Sequence, residues 1–157
     1  MQARVAFAEA RTKVPAEWVA GTNPASAVMQ VVSHMLEGEI LYREGHIVPT
    51  VGELRRAVEL EDELRYDEPP GWILPVRHTL GATLIREGRF AEAEGVYRAD
   101  LERRPENGWS LFGLAQSLQA QGREAESQGI RDRFDQVWAK ADTPLSSSCL
   151  CLPDLGR

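Results

Sequence analysis

Small residues that return at matched places along this chain constrain its fold more than any other feature. From the stretch "LGATLIREGRFAEAEGVYRADLERRP", residues 80–105, a forward step of 34 carries Leu80 onto Leu114, Gly81 onto Ala115 and Leu84 onto Leu118. The same step carries Gly88 onto Gly122 and Ala93 onto Ser127. A backward step of 43 carries Gly81 onto Gly38, Leu84 onto Leu41 and Gly88 onto Gly45, and the triplet Arg-Glu-Gly at 43–45 returns at 86–88. Offsets of 9 and 12 residues from Gly88 reach Tyr97 and Asp100; from Gly45 they reach Leu54 and Ala57. Self-similarity at such a period belongs to stacked supersecondary units. Apolar residues keep a period near 3.6 on both sides of the glycine, so each unit reads as two helices joined by a turn there.

The small residues have a packing role in that reading. Gly81 on the first helix and Ala93 on the second let two backbones approach where they cross, while leucines and an aromatic fill the space on either side. A helical Gly costs roughly 1 kcal/mol relative to Ala, which closer packing offsets. Pro105 stops the second helix.

The pattern Leu80-Gly81, Leu84, Gly88, Ala93, Tyr97, Pro105 resembles the tetratricopeptide repeat, a 34-residue helix-turn-helix. The units lie at 31–64, 74–107 and 108–141. The first departs from the family pattern with Glu37 and Thr50, and with Pro49 and Gly52, which should weaken its second helix; the third departs with Arg131 in place of an aromatic. The longer string "LRRAVELEDELRYDEPPGW…PVRHTLGATL…NGWSLFGLAQSL" is similar to the C-terminal part of larger tetratricopeptide proteins of unassigned function, which implies a fragment or a shortened relative. The expected fold is all-α: an α-solenoid of about three such hairpins over residues 1–141, with an N-terminal helix near 2–12. Paired helices are expected at 25–44 and 50–65, 73–87 and 89–104, and 108–121 and 123–140. The insert 65–73, "DEPPGW" at its centre, should be a rigid loop with Trp72 covering the next helix pair. Residues 142–157, "DTPLSSSCLCLPDLGR", lack a helical period and read as an extended tail.

The resemblance also implies a binding face. Such stacks hold peptides along their first helices, and the family register places Met35, Glu39, Tyr42 and Arg43 there in the first unit, His78, Ala82, Ile85 and Arg86 in the second, and Trp109, Phe112, Gln116 and Gln119 in the third. Tyr42, Arg43, His78, Arg86, Trp109, Phe112 and Gln116 form the candidate partner site, because Trp, Tyr and Arg make binding hot spots. Packing of Trp109 and Phe112 on the insert, the tail or the helix before them is the competing reading. The Lys and Asn carboxylate clamp of the chaperone-binding members has no counterpart here.

Composition excludes several classes. A net charge of −6 argues against a phosphate-backbone binder, and no apolar run approaches the roughly 18 residues that span a bilayer. Neither nucleic acid nor membrane is an expected partner, and the chain reads as cytoplasmic, with no leader pattern at its start. No phosphate loop, dinucleotide fingerprint, His-Glu-x-x-His or Gly-x-Ser-x-Gly occurs, so no enzyme activity and no cofactor are expected. The acidic run 59–68 reads as a solvated helix face, and His34 and His46 lack ligand partners at helical spacing. Cys149 and Cys151 stand together, which is not the framework of a disulfide-stapled secreted domain. They are weak candidates for a soft-metal or thiol-responsive site, which would need further ligands. The tail's leucines, Leu145, Leu150, Leu152 and Leu155, offer a further alternative in which the tail caps the last helix or occupies the groove. The favoured function is a non-enzymatic scaffold binding a peptide or partner domain. A metal- or thiol-responsive protein, and a spacer or self-associating unit of a larger protein, are the alternatives.

Overall fold

Three glycines bend the chain in the same way. Gly45, Gly88 and Gly122 all take positive φ, +82°, +72° and +74°, a region that costs glycine nothing and other residues a steric clash. At each, the N–H of the following residue reaches back five positions: His46 to Leu41 O at 2.9 Å, Arg89 to Leu84 O at 2.9 Å and Arg123 to Leu118 O at 3.0 Å. This is the hydrogen-bonded ending of a helix stopped by a left-handed residue. The next helix then opens alike in all three, with Thr50 N, Ala93 N and Ser127 N each donating at 3.0 Å to the carbonyl four residues earlier.

The computed structural model describes residues 2–149 and 151. Seven helices are present among them: α1 Gln2–Arg11, α2 Ala25–Arg43, α3 Ile47–Asp62, α4 Val76–Arg86, α5 Phe90–Arg103, α6 Gly108–Ala120 and α7 Glu124–Trp138. The protein is all-α, built as an N-terminal helix, three helix-turn-helix pairs (α2/α3, α4/α5, α6/α7) and an extended C-terminal segment. A two-residue antiparallel bridge, β1 Val19–Ala20 with β2 Asn23–Pro24, closes a tight loop before α2. Observed boundaries fall within a turn of the expected ones. The helix α3 begins at Ile47 and not near 50, so Pro49 stands in the first turn, where a missing N–H leaves no bond unmade. The chain divides into two compact units, residues 1–76 and 77–157.

In the first unit α2 and α3 pack along their length, burying Val31, Met35, Val51, Leu54 and Ala57. The Cβ that Gly38 lacks would lie 3.0 Å from Leu54 Cδ2, so Leu54 fills the glycine's space. The helix α1 buries no residue; its Arg4 is held by Glu37, 2.7 Å from Nε, and by Glu44, 2.7 Å from Nη1. The acidic run is not simply a solvated face. Glu61 is buried and accepts the Val76 N–H at 3.1 Å, and Asp67 accepts the Thr22 N–H at 2.9 Å. Asn23, 1% exposed, braces the loop to the insert by accepting from Arg65 N at 2.7 Å and donating to Arg65 O at 3.0 Å.

In the second unit Tyr97 of α5 stands where α4, α5 and α6 meet. Its hydroxyl would lie 2.6 Å from a Cβ on Gly81 of α4, and equally 2.6 Å from one on Gly113 of α6. Gly81 therefore makes room for a side chain, Tyr97, where the sequence suggested that it serves close approach of two backbones. The third pair solves the same position differently. Ala115 keeps its Cβ, the residue that would fill its space is Arg131, which instead hydrogen-bonds Gln119, and Ser127 Oγ donates to Ala115 O at 2.9 Å.

Candidate functional site

The second unit gathers most of the expected site residues, and it uses them in three different ways. His78 is buried at the start of α4, with Nε2 3.2 Å from Asp100 Oδ2. Asp100 is fully buried and also accepts from Ser110 Oγ at 2.6 Å and from Arg104 Nη1 at 2.8 Å. One carboxylate thus ties α4, α5 and α6 together. Burial pushes the Asp100 carboxyl up, but the hydrogen bonds from His78 and Ser110 and the neighbouring His78 and Arg104 charges outweigh it, holding the group below its ordinary value. Serine and histidine both bond the aspartate rather than each other, so the cluster has no activated nucleophile.

Trp109 and Phe112 turn towards the following helix. Trp109 meets Trp138 edge-on at 5.7 Å, Phe112 meets Phe134 at 5.5 Å, and Phe134 stacks on Trp138 at 5.6 Å. These four half-buried rings bind α6 to α7. Gln116 and Arg86 are half-buried on the same pair of helices, α6 and α4. Tyr42 and Arg43 belong to the first unit; Arg43 is exposed and donates to Glu39 O at 3.0 Å.

The C-terminal segment supplies a site the sequence only hinted at. After α7, Trp138 Nε1 donates to Thr143 O at 2.8 Å, and the chain returns across the unit to α4. Ser148, 1% exposed, hydrogen-bonds the Tyr97 hydroxyl and lies 3.5 Å from His78 O. Cys149, 9% exposed, puts its Sγ 3.6 Å from Thr79 Oγ1. Enclosure drives the Tyr97 phenol far above its ordinary value; the Ser148 bond acts the other way, and the Asp100 charge adds to the rise. The seat is therefore Tyr97, Thr79 and the His78 carbonyl, floored by Gly81 and Gly113. The Ser148 hydroxyl and the Cys149 sulfur meet it; of the tail leucines, Leu145 is half-buried, and Leu150, Leu152 and Leu155 lie outside the described residues.

The Cys149 and Cys151 sulfurs are bonded to each other, with Cα atoms 5.3 Å apart. This link closes a ring over three residues and joins no separate elements, and a bonded pair presents no thiolate to a metal. Among the described residues no three His, Cys, Asp or Glu side chains converge to hold an ion.

The first unit has a cleft of about 490 Å³ between α1 and the α2/α3 pair, lined by Arg4, Phe7, Arg11, His34, Glu37 and Glu53 among others. His34 Nδ1 lies 2.7 Å from Glu53 Oε2, a partner 19 residues away that helical spacing alone would not find. The charged groups of this cleft are largely spent on one another.

Tyr97, Thr79, Gly113 and Ser148 were not among the candidate site residues read from the sequence. Gly113 was the signal to follow: a second glycine inside a strongly apolar helix marks a place where a neighbour comes close. No helix among the described residues is long and apolar enough to cross a membrane. No family model matches the chain, and no curated protein matches it.

Proposed function

We propose that this chain is a tetratricopeptide-type interaction module, without catalytic activity or cofactor, that holds an extended peptide against α4 and Tyr97. The observation that carries this reading is the seating of residues 145–149: a stretch with no helix or strand of its own lies there with Ser148 and Cys149 buried. The segment is held through the Ser148 hydroxyl, which meets the Tyr97 hydroxyl and lies 3.5 Å from the His78 carbonyl oxygen. The repeated glycine turns and the paired helices support the family resemblance. A cytoplasmic setting fits the acidic composition of the chain.

The seat lies nearer the N-terminal half of α4 than the expected site. It includes His78, while Trp109 and Phe112 serve the α6/α7 contact. Selection of random seven-residue peptides on the chain, followed by chemical-shift mapping of an enriched peptide, tests the reading. Shifts at Thr79, Ala82, Gly113 and Gln116 are the expected result. Shifts confined to the α1 cleft, or a library without enrichment, would overturn it.

A further inference from the structure

We propose that residues 145–149 are an internal occupant of the seat made by α4 and Tyr97, and that a partner peptide presenting a small hydroxyl side chain binds there by displacing them. This rests on the peptide-binding reading above and adds to it both a regulatory state and a ligand class. The ligand class follows from the contact made. The Tyr97 hydroxyl lies between two glycines, at 2.6 Å from where either would carry a Cβ, and the group it meets is the short hydroxyl side chain of Ser148. Three serines stand in a row, yet one alone is used: Ser146 is exposed, Ser147 turns its Oγ to the Cys149 N–H at 3.3 Å, and Ser148 reaches Tyr97. The seat therefore reads a single hydroxyl in a fixed register.

Release follows from what holds the segment. Its two buried side chains, Ser148 and Cys149, are both small, so its seating removes little apolar surface from water, the main source of tight burial. Residues 141–144 are exposed on the way in. The segment is held chiefly because it is tethered: α7 ends at Trp138, ten residues before Ser148, and a short tether gives an effective concentration on the order of millimolar. A free peptide must outcompete that tether, and a chain whose own segment cannot seat should bind it far more tightly. Ser148→Glu is the direct way to unseat it, because a carboxylate there would face the His78 carbonyl and the field of Asp100.

The test titrates the full chain into a fluorescein-labelled, amidated peptide copying residues 143–149 with the Cys149→Ser change, which removes disulfide exchange. Circular dichroism checks the helices of each variant. Expected affinities rise from wild type through Ser148→Ala to Ser148→Glu, with at least a roughly tenfold gain at the last step, and adding Tyr97→Phe to Ser148→Glu removes most of that gain. Equal binding to wild type and Ser148→Glu would leave the peptide seat standing and overturn self-occupation. Binding to neither, with amide exchange showing residues 145–149 released in Ser148→Glu, would overturn the peptide-binding reading and this proposal with it. A wild-type chain that sediments as a dimer while Ser148→Glu sediments as a monomer would assign the seat to the segment of a second copy and overturn the internal form.

Discussion

A tyrosine ring that fills the space left by two glycines makes those glycines irreplaceable in a way that other glycines of the same helices are not. Gly81→Ala or Gly113→Ala pushes a methyl into the Tyr97 ring and should cost about 1–3 kcal/mol, as overpacking of a filled core does. Gly95→Ala, on α5 where an added Cβ meets nothing within 4 Å, should instead stabilise by about 0.5–1 kcal/mol. Urea melts of the three variants check the contrast, and a loss at Gly95 equal to that at Gly81 would mean that contact with Tyr97 does not set the difference. Asp100 gives a second residue-scale expectation. Its folded-state carboxyl titrates below the ordinary value near 3.9, so its contribution is complete at neutral pH, begins to fall as pH drops towards that value, and is lost once pH passes below the folded pKa. Asp100→Asn should lower stability at pH 7 by about 2–3 kcal/mol and flatten the acid limb of the stability curve. Melts at pH 7, 5, 4 and 3 compare the slopes, and an unchanged limb would place the acid sensitivity elsewhere.

At the scale of elements, α1 and α3 show how different the supports of two helices can be. The helix α1 has no buried residue and is fastened by one arginine to two glutamates, half-exposed pairs that are worth little singly. Arg4→Ala should speed amide exchange across residues 2–11 several-fold while moving the global melting midpoint hardly at all, and added salt should mimic the substitution in the wild type. Full protection of those amides in the variant would show that Phe7, not the ion pairs, anchors the helix. The sequence made the helices legible because both the 3.6 period and the turn glycines are local signals. It misjudged Pro49 because a proline in a first turn and a proline in mid-helix look alike until the helix start is known. It placed Trp109 and Phe112 on a binding face because register says which side of α6 they occupy but not that Phe134 and Trp138 of α7 come to meet them. The seat of Ser148 was illegible for a deeper reason: a non-periodic serine run carries no pattern, and its address is written on α4 and α5, fifty or more residues away.

For the whole molecule, the three helix pairs share their turn geometry but differ in what fills the space beside the first helix: Leu54 in one, the Tyr97 ring in the next, and in the third an alanine methyl with a serine bonded across it. Leucines at the centre of each compact unit carry comparable weight. Leu54→Ala and Leu114→Ala remove side chains that are both 1% exposed and should each cost about 2–5 kcal/mol. The loss of amide protection should be largest in the unit that carries the substitution, and a mass-spectrometric exchange map reads it directly. The enclosure of Tyr97 also gives the protein a built-in optical clock. A phenol kept protonated by its surroundings adds stability that is complete below the ordinary tyrosine value near 10 and disappears as pH rises through the raised folded value. Tyr66, raised by its hydrogen bond to Glu68 but exposed, can ionise with the fold intact. In an alkaline titration followed by phenolate absorbance and circular dichroism together, the last tyrosine should therefore develop colour only as the helices melt, and irreversibly in step with them; a complete phenolate signal over intact helices would show that the ring is open to hydroxide.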